Sequence, residues 1–94
     1  MLSIATVQTT SAKRYLGQFC KHFAHKLPVD LAPDNSMGAV GFGAGACILR
    51  ADDDRLALSL EAADDAIANL QDVIARHLVR FAFREELTLN WEKV

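Results

Sequence analysis

Hydrophobic residues along the chain recur with two different periods, and the changes of period divide it into elements. Residues 2–9 alternate between apolar and polar positions and are rich in β-branched side chains, which predicts a strand. Over residues 12–26 the apolar positions recur at helical spacing, and Thr10 or Ser11 ahead of them offers an oxygen to cap a helix. Pro28 cannot continue a helix, so we expect this one to end before it.

The rest of the chain predicts a loop, three strands, a second helix and a last strand. Residues 28–36 hold two prolines and an Asp-Asn-Ser cluster, which predicts the longest loop. Turns at residues 43–45 and 52–54 separate the three strands that follow. The inward positions are predicted to be Val40 and Phe42, then Cys47 and Leu49, then Leu56, Leu58 and Leu60 in these strands, Ala63, Ile67, Leu70, Val73, Ile74 and Phe81 in the second helix, and Leu87, Leu89 and Trp91 in the last strand.

The resulting order, β-α-β-β-β-α-β, predicts one α+β domain over residues 1–94. We expect a two-layer sandwich in which a mostly antiparallel sheet carries both helices on one face. If every connection reverses the chain, the two helices run in the same direction and their C-terminal ends meet at one edge. That arrangement would bring His22, His25 and Lys26 within reach of a second set of charged residues: Arg80, Arg84 and Glu85.

Composition is that of a soluble globular protein, with 51% apolar and 23% charged residues. The net charge is −2, yet residues 1–29 contain four Lys and Arg and no acid, so one basic element lies on an acidic body. That element either packs beside acidic neighbours or forms an anion site. The sequence pI of about 5.8 argues against nucleic acid as a partner. No apolar run approaches the roughly 20 residues that span a bilayer, and no signal peptide is evident, so we expect a cytoplasmic protein.

His77 falls within the apolar stripe of the second helix, where a polar ring needs a hydrogen bond. It is either a structural histidine bonded to a backbone carbonyl or carboxylate, or a poised acid, base or ligand. Arg80 and Arg84 lie one turn apart and could clamp one carboxylate or phosphate. The cheaper explanation is their favourable interaction with the helix dipole, and Glu85 and Glu86 could also neutralise them.

Metal and thiol chemistry are not predicted. His22 and His25 could share a metal with His77, but the first two differ by about 60° in direction on a helix and no carboxylate recurs at ligand spacing. Cys20 and Cys47 show no paired spacing and lie in apolar runs, which indicates buried, protonated thiols. We therefore predict no catalytic residue, no metal ligand and no cofactor.

Four motifs carry a resemblance to a known family: RYLGQFCKHFAHK at 14–26, GAVGFGAGACIL at 38–49, HLVRFAFRE at 77–85 and the strand at 87–91. Over nearly its whole length the chain resembles the bacterial family called domain of unknown function 2218. The resemblance implies a small soluble α+β domain without an assigned activity. Some relatives look to be fused to, or encoded beside, siderophore-interacting flavoproteins, which implies an accessory role in iron acquisition and a flavoprotein partner.

Three functional hypotheses follow. The leading one is a non-catalytic accessory module that recognises an anionic small molecule or a partner protein through a set of six residues: His22, His25, Lys26, His77, Arg80 and Arg84. The alternative is a small histidine-dependent or metal-dependent enzyme that uses His77 as acid, base or ligand, with His22 assisting. The third is a structural domain that forms a homodimer through an apolar exposed sheet face.

Overall fold

The elements of the fold come in the order predicted, with one strand more. The structure, a computed structural model, describes residues 1–82 and 85–94. Six strands and two helices succeed one another as β1 (Leu2–Gln8), α1 (Ala12–Phe23), β2 (Val29–Leu31), β3 (Met37–Gly41), β4 (Gly45–Ala51), β5 (Arg55–Ala62), α2 (Ile67–Phe81) and β6 (Glu92–Lys93). The α+β class and the two-layer architecture are confirmed.

The sheet is antiparallel throughout, with the strand order β2-β3-β4-β5-β1-β6. Both predicted hairpin turns are present. The Phe42 N–H donates to the Gly45 carbonyl across the first turn, at 2.7 Å, and the Asp52 N–H donates to the Arg55 carbonyl across the second, at 2.9 Å. Gly43 has a φ of +83°, a conformation that side chains with a Cβ rarely adopt, so a glycine suits that turn.

One face of the sheet carries the core. The leucines of β5 alternate inwards as predicted, and Leu56, Leu58 and Leu60 are fully buried. Helix α1 lays Leu16 and Phe19 against this face, and α2 packs on β5 and on α1. Full burial of each such side chain contributes roughly 1.5–3 kcal/mol to folding.

The opposite face of the sheet is open and mixed in character. Met37 and Ile48 are each 41% exposed there. Charged residues share this face, among them Arg50 and Glu61, which alternate with the buried positions of β4 and β5. This is the surface on which the homodimer hypothesis depends, and that hypothesis stays a prediction.

Helix α1 differs from the prediction at both ends. Ser11 occupies the N-cap, but within the described chain its hydroxyl makes no capping hydrogen bond, and its N–H instead donates to Thr9 Oγ1 at 3.1 Å. The helix ends at Phe23 and not at Lys26. The N–H groups of Lys26 and Leu27 both donate to the Phe23 carbonyl, which closes the helix with a turn. The last three residues of the predicted helix therefore lie on that turn.

Helix α2 is rotated slightly from the predicted stripe. Leu78 is fully buried although the prediction left it out, while Val73 and Phe81 are only half-buried. Ala63 precedes the helix and is exposed. Leu78 follows the buried Ile74 by four residues, so the two side chains lie on the same face of the helix. Neither helix of the described chain combines the length and apolarity that a bilayer crossing requires.

The segment predicted as the longest loop contains β2. Val29 pairs with Val40 and Leu31 with Gly38, so β2 adds an edge strand to the sheet. Its flanking prolines are compatible with that position, because an edge strand is bonded to the sheet on one side only. With three residues, this strand is too short for alternation to identify it.

The extra strand changes the relation between the helices. Helix α1 returns from the end of β1, and α2 returns from the end of β5, and these two strands are antiparallel. The helices therefore run in opposite directions, and the expectation that their C-terminal ends meet is wrong. His22 near the end of α1 lies beside His77, while Tyr15 near its start bonds Glu85 beyond the end of α2.

The C-terminal segment is less regular than predicted. Strand β6 comprises only Glu92 and Lys93, which pair with Ile4 and Ser3 of β1. Leu87, Leu89 and Trp91, predicted as alternate strand positions, pack half-buried against the core ahead of that strand. The apolar positions were identified correctly, but their regular pairing was not.

Close packing between β3 and α1 predicts an effect at one glycine. A Cβ at Gly38 would lie 2.5 Å from Cys20 Sγ and 3.2 Å from Leu16 Cδ2. We expect Gly38→Ala to lower the free energy of unfolding by about 1–3 kcal/mol, measured by urea denaturation. Adding Cys20→Ala removes the clashing sulfur, so the double variant should lose less than the sum of the two single variants.

The control is Gly41→Ala in the same strand, where the nearest neighbour of a Cβ is Pro28 Cγ at 3.6 Å. We expect a change within about 1 kcal/mol there, the span of strand propensity. Equal losses at both glycines would contradict this packing.

Candidate functional site

Two imidazoles from distant parts of the chain meet between the helices. The rings of His22 and His77 have centroids 5.0 Å apart, with their planes inclined by 47°. His22 lies in the last turn of α1, and His77 lies one turn before the end of α2. The antiparallel helices bring these two side chains together because the last turn of α1 lies beside the C-terminal half of α2.

His77 has a fixed orientation. Its Nδ1 lies 2.7 Å from the Val73 carbonyl oxygen, one helical turn earlier. A carbonyl can only accept, so Nδ1 carries the proton and donates, and Nε2 holds the free lone pair when the ring is neutral. The expected hydrogen bond of His77 to a backbone carbonyl is confirmed. The ring is half-buried, so Nε2 is left for a ligand or for water.

Phenylalanine rings contact the imidazole pair. The Phe23 ring lies 5.0 Å from His22, in an edge-to-face arrangement at 88°, and 4.9 Å from His77. The ring centroids of Phe81 and His22 are 5.7 Å apart, and those of Phe42 and Phe23 are 5.2 Å apart. These spacings are within the range in which aromatic rings attract one another. The imidazoles are thus held in place by an apolar, aromatic wall.

The turn after α1 adds further polar side chains to the site. His25 and Lys26 are exposed on that turn because the helix ends at Phe23. A cavity of about 440 Å³ opens at this point. We call it the imidazole cavity, and it is lined by His22, Phe23, His25, Lys26, Leu27 and His77. Four of the six predicted site residues therefore border one cavity.

Arg80 occupies a neighbouring position. It is exposed and lines a second cavity of about 430 Å³ with Arg76 and Val79, and His77 borders both cavities. Ion pairs within the described chain join Arg55 to Asp52 and Arg76 to Asp72, and none includes Arg80. Arg84, predicted as its clamp partner, lies outside the described residues.

The surroundings of His22 disfavour its charged form. Partial loss of hydration is the largest cause that lowers the pKa of His22 below its ordinary value of 6.5, although much of the residue is exposed. The positive charges of His77, Arg80, His25 and Lys26 lower it further, in that order. His22 is therefore neutral at neutral pH. A bound anion would oppose each of these causes and would favour protonation of the ring.

The thiols take no part in the site. Cys20 and Cys47 are fully buried, and burial raises the pKa of Cys20 to about 11 and that of Cys47 to about 12. Both are protonated at neutral pH, as predicted, and are poor nucleophiles. Residues 1–82 and 85–94 contain no group of three or more His, Cys, Asp or Glu side chains that could hold a metal ion.

The sequence did not reveal a polar contact near the start of α1. The Tyr15 hydroxyl donates to the Glu85 carboxylate, and Thr9 Oγ1 lies 3.0 and 3.2 Å from the two Glu85 oxygens. The hydrogen bond to Glu85, followed by burial, raises the pKa of Tyr15. Neutralisation of the arginines of α2 was one possibility for Glu85, and the structure shows that its carboxylate accepts hydrogen bonds from Thr9 and Tyr15. No local spacing indicates a pair 70 residues apart.

Other cavities carry less chemistry. One of about 280 Å³ lies beside the edge strands β2 and β3, where Asp30 is its charged residue. Another of about 600 Å³ lies at the β4–β5 turn and is lined by Lys13, Ser36 and residues 51–54. The three aspartates of that turn are exposed, and Asp52 is paired with Arg55. The imidazole cavity is therefore the stronger candidate site.

The comparisons with known proteins agree with the fold. The family described as "Uncharacterized protein conserved in bacteria (DUF2218)" matches residues 4–92. The NMR structure of PA4090 from Pseudomonas aeruginosa is similar, with a TM-score of 0.79 and 38% sequence identity. That match covers 97% of this chain and 94% of the other. Among curated proteins, no sequence matches this chain with significant similarity.

The electrostatics of the site predict that Arg80 lowers the pKa of His22. We expect Arg80→Gln to raise that pKa towards 6.5, because it removes one of the charges that oppose protonation. The measurement is an NMR titration of the imidazole signals. Arg76→Gln is the control, because Arg76 lies on the same helix and its Nε is 2.9 Å from Asp72.

The lowered pKa of His22 also makes the stability of the protein depend on pH. The folded chain binds a proton at His22 less readily than the unfolded chain, so stability falls as the pH drops through 6.5. Arg80→Gln should reduce this loss, and Arg76→Gln should not. Equal titration curves for the wild type and both variants would contradict the assigned cause.

Proposed function

Since the chain belongs to the bacterial DUF2218 family, whose description assigns no activity, we propose a function from its own site. The protein is a non-catalytic binding module that takes up an anionic small molecule in the imidazole cavity. His22, His77 and Lys26 provide the polar contacts, and Arg80 adds positive charge from the adjoining surface. His25 borders the same opening.

The observation that carries this proposal is the sign of the charge around the cavity. Among the residues that the structure describes, the lining contains the Lys26 ammonium group, the neutral His22 and two further imidazoles, and no carboxylate. The protein as a whole carries a net charge of −2, so this region differs in sign from the rest of the molecule. A local positive field of this kind attracts anions and orients them as they approach.

A binding role is favoured over catalysis by the condition of the reactive groups. The two thiols are buried and protonated. His77 is held by the Val73 carbonyl, and His22 is surrounded by positive charges. A base beside several cations suits the recognition of a negative group better than the removal of a proton from a substrate.

We further propose that the protein serves in iron acquisition within the cytoplasm, as an accessory to a flavoprotein. The support is the resemblance to relatives that accompany siderophore-interacting flavoproteins. Iron-binding chelators carry carboxylate or related oxygen ligands and are commonly anionic, which is compatible with the charge of the cavity. The site would then hold such a chelator, or a fragment of it, for the partner.

Anion binding predicts a defined response to citrate, which serves as the probe. We expect citrate to shift the imidazole NMR signals of His22 and His77 at constant ionic strength. Lys26→Ala should weaken citrate binding by about two- to fivefold, the effect of one exposed charge pair. Lys21→Ala is the matched control, because Lys21 lies on the same helix but does not line the cavity. Shifts confined to other residues, or equal losses in the two variants, would contradict the proposed site.

The geometry of the imidazole pair supports a second candidate function, a metal-dependent activity. A histidine that donates Nδ1–H to a backbone carbonyl and keeps Nε2 free has the arrangement commonly seen in metal ligands. The centroid separation of 5.0 Å allows both rings to reach one ion. An ion bound in this way would take its other ligands from solvent or substrate.

Elemental analysis of protein purified without an affinity tag tests this second candidate. If the protein has a metal-dependent activity, we expect it to contain bound zinc or iron. We also expect the His22 and His77 NMR signals to broaden together when Zn²⁺ is added. His22→Gln and His77→Gln should each weaken Zn²⁺ binding by tenfold or more, on the order of the loss of one ligand. His25→Gln, the control, should leave Zn²⁺ binding unchanged. Metal-free protein that does not respond to Zn²⁺ at these two residues would exclude this function.

A further inference from the structure

The imidazole cavity has an apolar side that an inorganic anion cannot use. Phe23 and Leu27 line it together with the polar side chains, and both pack against the hydrophobic core. A small hydrated anion would leave this surface in contact with water. A ligand that carries an apolar body beside its charge would cover it, at roughly 25 cal/mol for each Å² removed from water.

The apolar side consists of the Phe23 ring and the Leu27 side chain. The Phe23 ring meets His22 edge-on at 88° and His77 at 53°, and it also contacts Phe42 at 75°. These tilted contacts leave ring surfaces at several inclinations around one opening. A flat aromatic body can join such a set in offset or edge-to-face contacts, which add to the attraction from area alone. A saturated ring of the same size cannot.

The polar side of the cavity favours a single, compact negative group. Lys26 offers a point charge on a flexible stem, and the two imidazoles offer N–H donors when protonated. A volume of about 440 Å³ is in the range of small-molecule sites and exceeds what a lone phosphate fills. The opening therefore has room for one or two fused rings with one carboxylate.

From these features we infer that the ligand is an aromatic carboxylate. Its ring packs against Phe23 and Leu27, and its carboxylate faces Lys26 and the imidazole pair. This inference rests on the proposed anion site and adds the chemical class of the ligand. It is independent of any metal, because the contacts come from side chains of the chain itself.

A matched series of probes tests the inference: 2-naphthoate, benzoate, cyclohexanecarboxylate, acetate and inorganic phosphate. Each is titrated into the protein at one pH and ionic strength, with the His22 and His77 signals as the readout. We expect 2-naphthoate to bind at least about tenfold more tightly than acetate or phosphate, because of the additional apolar area it buries. Benzoate should bind more tightly than cyclohexanecarboxylate, which has the same size and charge.

Two variants separate the parts of the site. Phe23→Leu keeps an apolar side chain and removes the ring, so it should abolish the preference for benzoate over cyclohexanecarboxylate. Lys26→Gln should weaken all carboxylates alike. If Phe23→Leu fails to fold, the wild-type series decides alone, supported by nuclear Overhauser contacts between the naphthoate protons and the Phe23 ring.

The possible failures are distinguishable. If all five anions shift His22 and His77 but bind with equal affinity, the anion site stands and the aromatic class is wrong. If benzoate binds no better than cyclohexanecarboxylate, the site recognises apolar area and not rings, and the inference is again overturned. If none of the probes shifts these residues, the inference and the proposed anion site both fail.

Discussion

The antiparallel pairing of β1 with β5 determines where every other part of the molecule lies. The first strand of the chain inserts between β5 and β6, so both helices return across the same face from strands that run in opposite directions. The helices are antiparallel for this reason, and the inward leucines of β5 lie beneath both of them. The imidazole cavity depends on this arrangement, because one of its walls comes from the end of α1 and the other from α2.

Much of the fold could be predicted from the sequence, because a strand buries every second side chain and a helix buries every third or fourth. The alternating leucines of β5 were identified from spacing alone and are buried, and so are four of the six apolar positions predicted along the first helix: Ala12, Leu16, Phe19 and Cys20. Strand β2 could not be found in this way, because three residues carry too little alternation. The ends of α1 and the rotation of α2 depend on tertiary contacts, which no local pattern contains.

The candidate site was predicted in part, and by a route that was partly wrong. His22 and His77 do meet, but between antiparallel helices and not at two adjoining C-terminal ends. The additional strand β2 reverses the direction of α2 relative to the prediction. The His22 and His77 rings are still in contact, because both residues lie where the two helices pass each other. The surrounding phenylalanines were assigned only to the core. In the structure Phe23 belongs to the core and to the cavity wall at once.

The bonds from Thr9 and Tyr15 to Glu85 also bear on how the protein is made. They close loops of 76 and 70 residues, so the carboxylate that completes them reaches the ribosome exit only after both helices have been synthesised. Until then the phenol of Tyr15 has to rely on water for its partner. The nascent chain can therefore collapse around its leucines early, yet the contact of Tyr15 with Glu85 closes only after α2 has been synthesised.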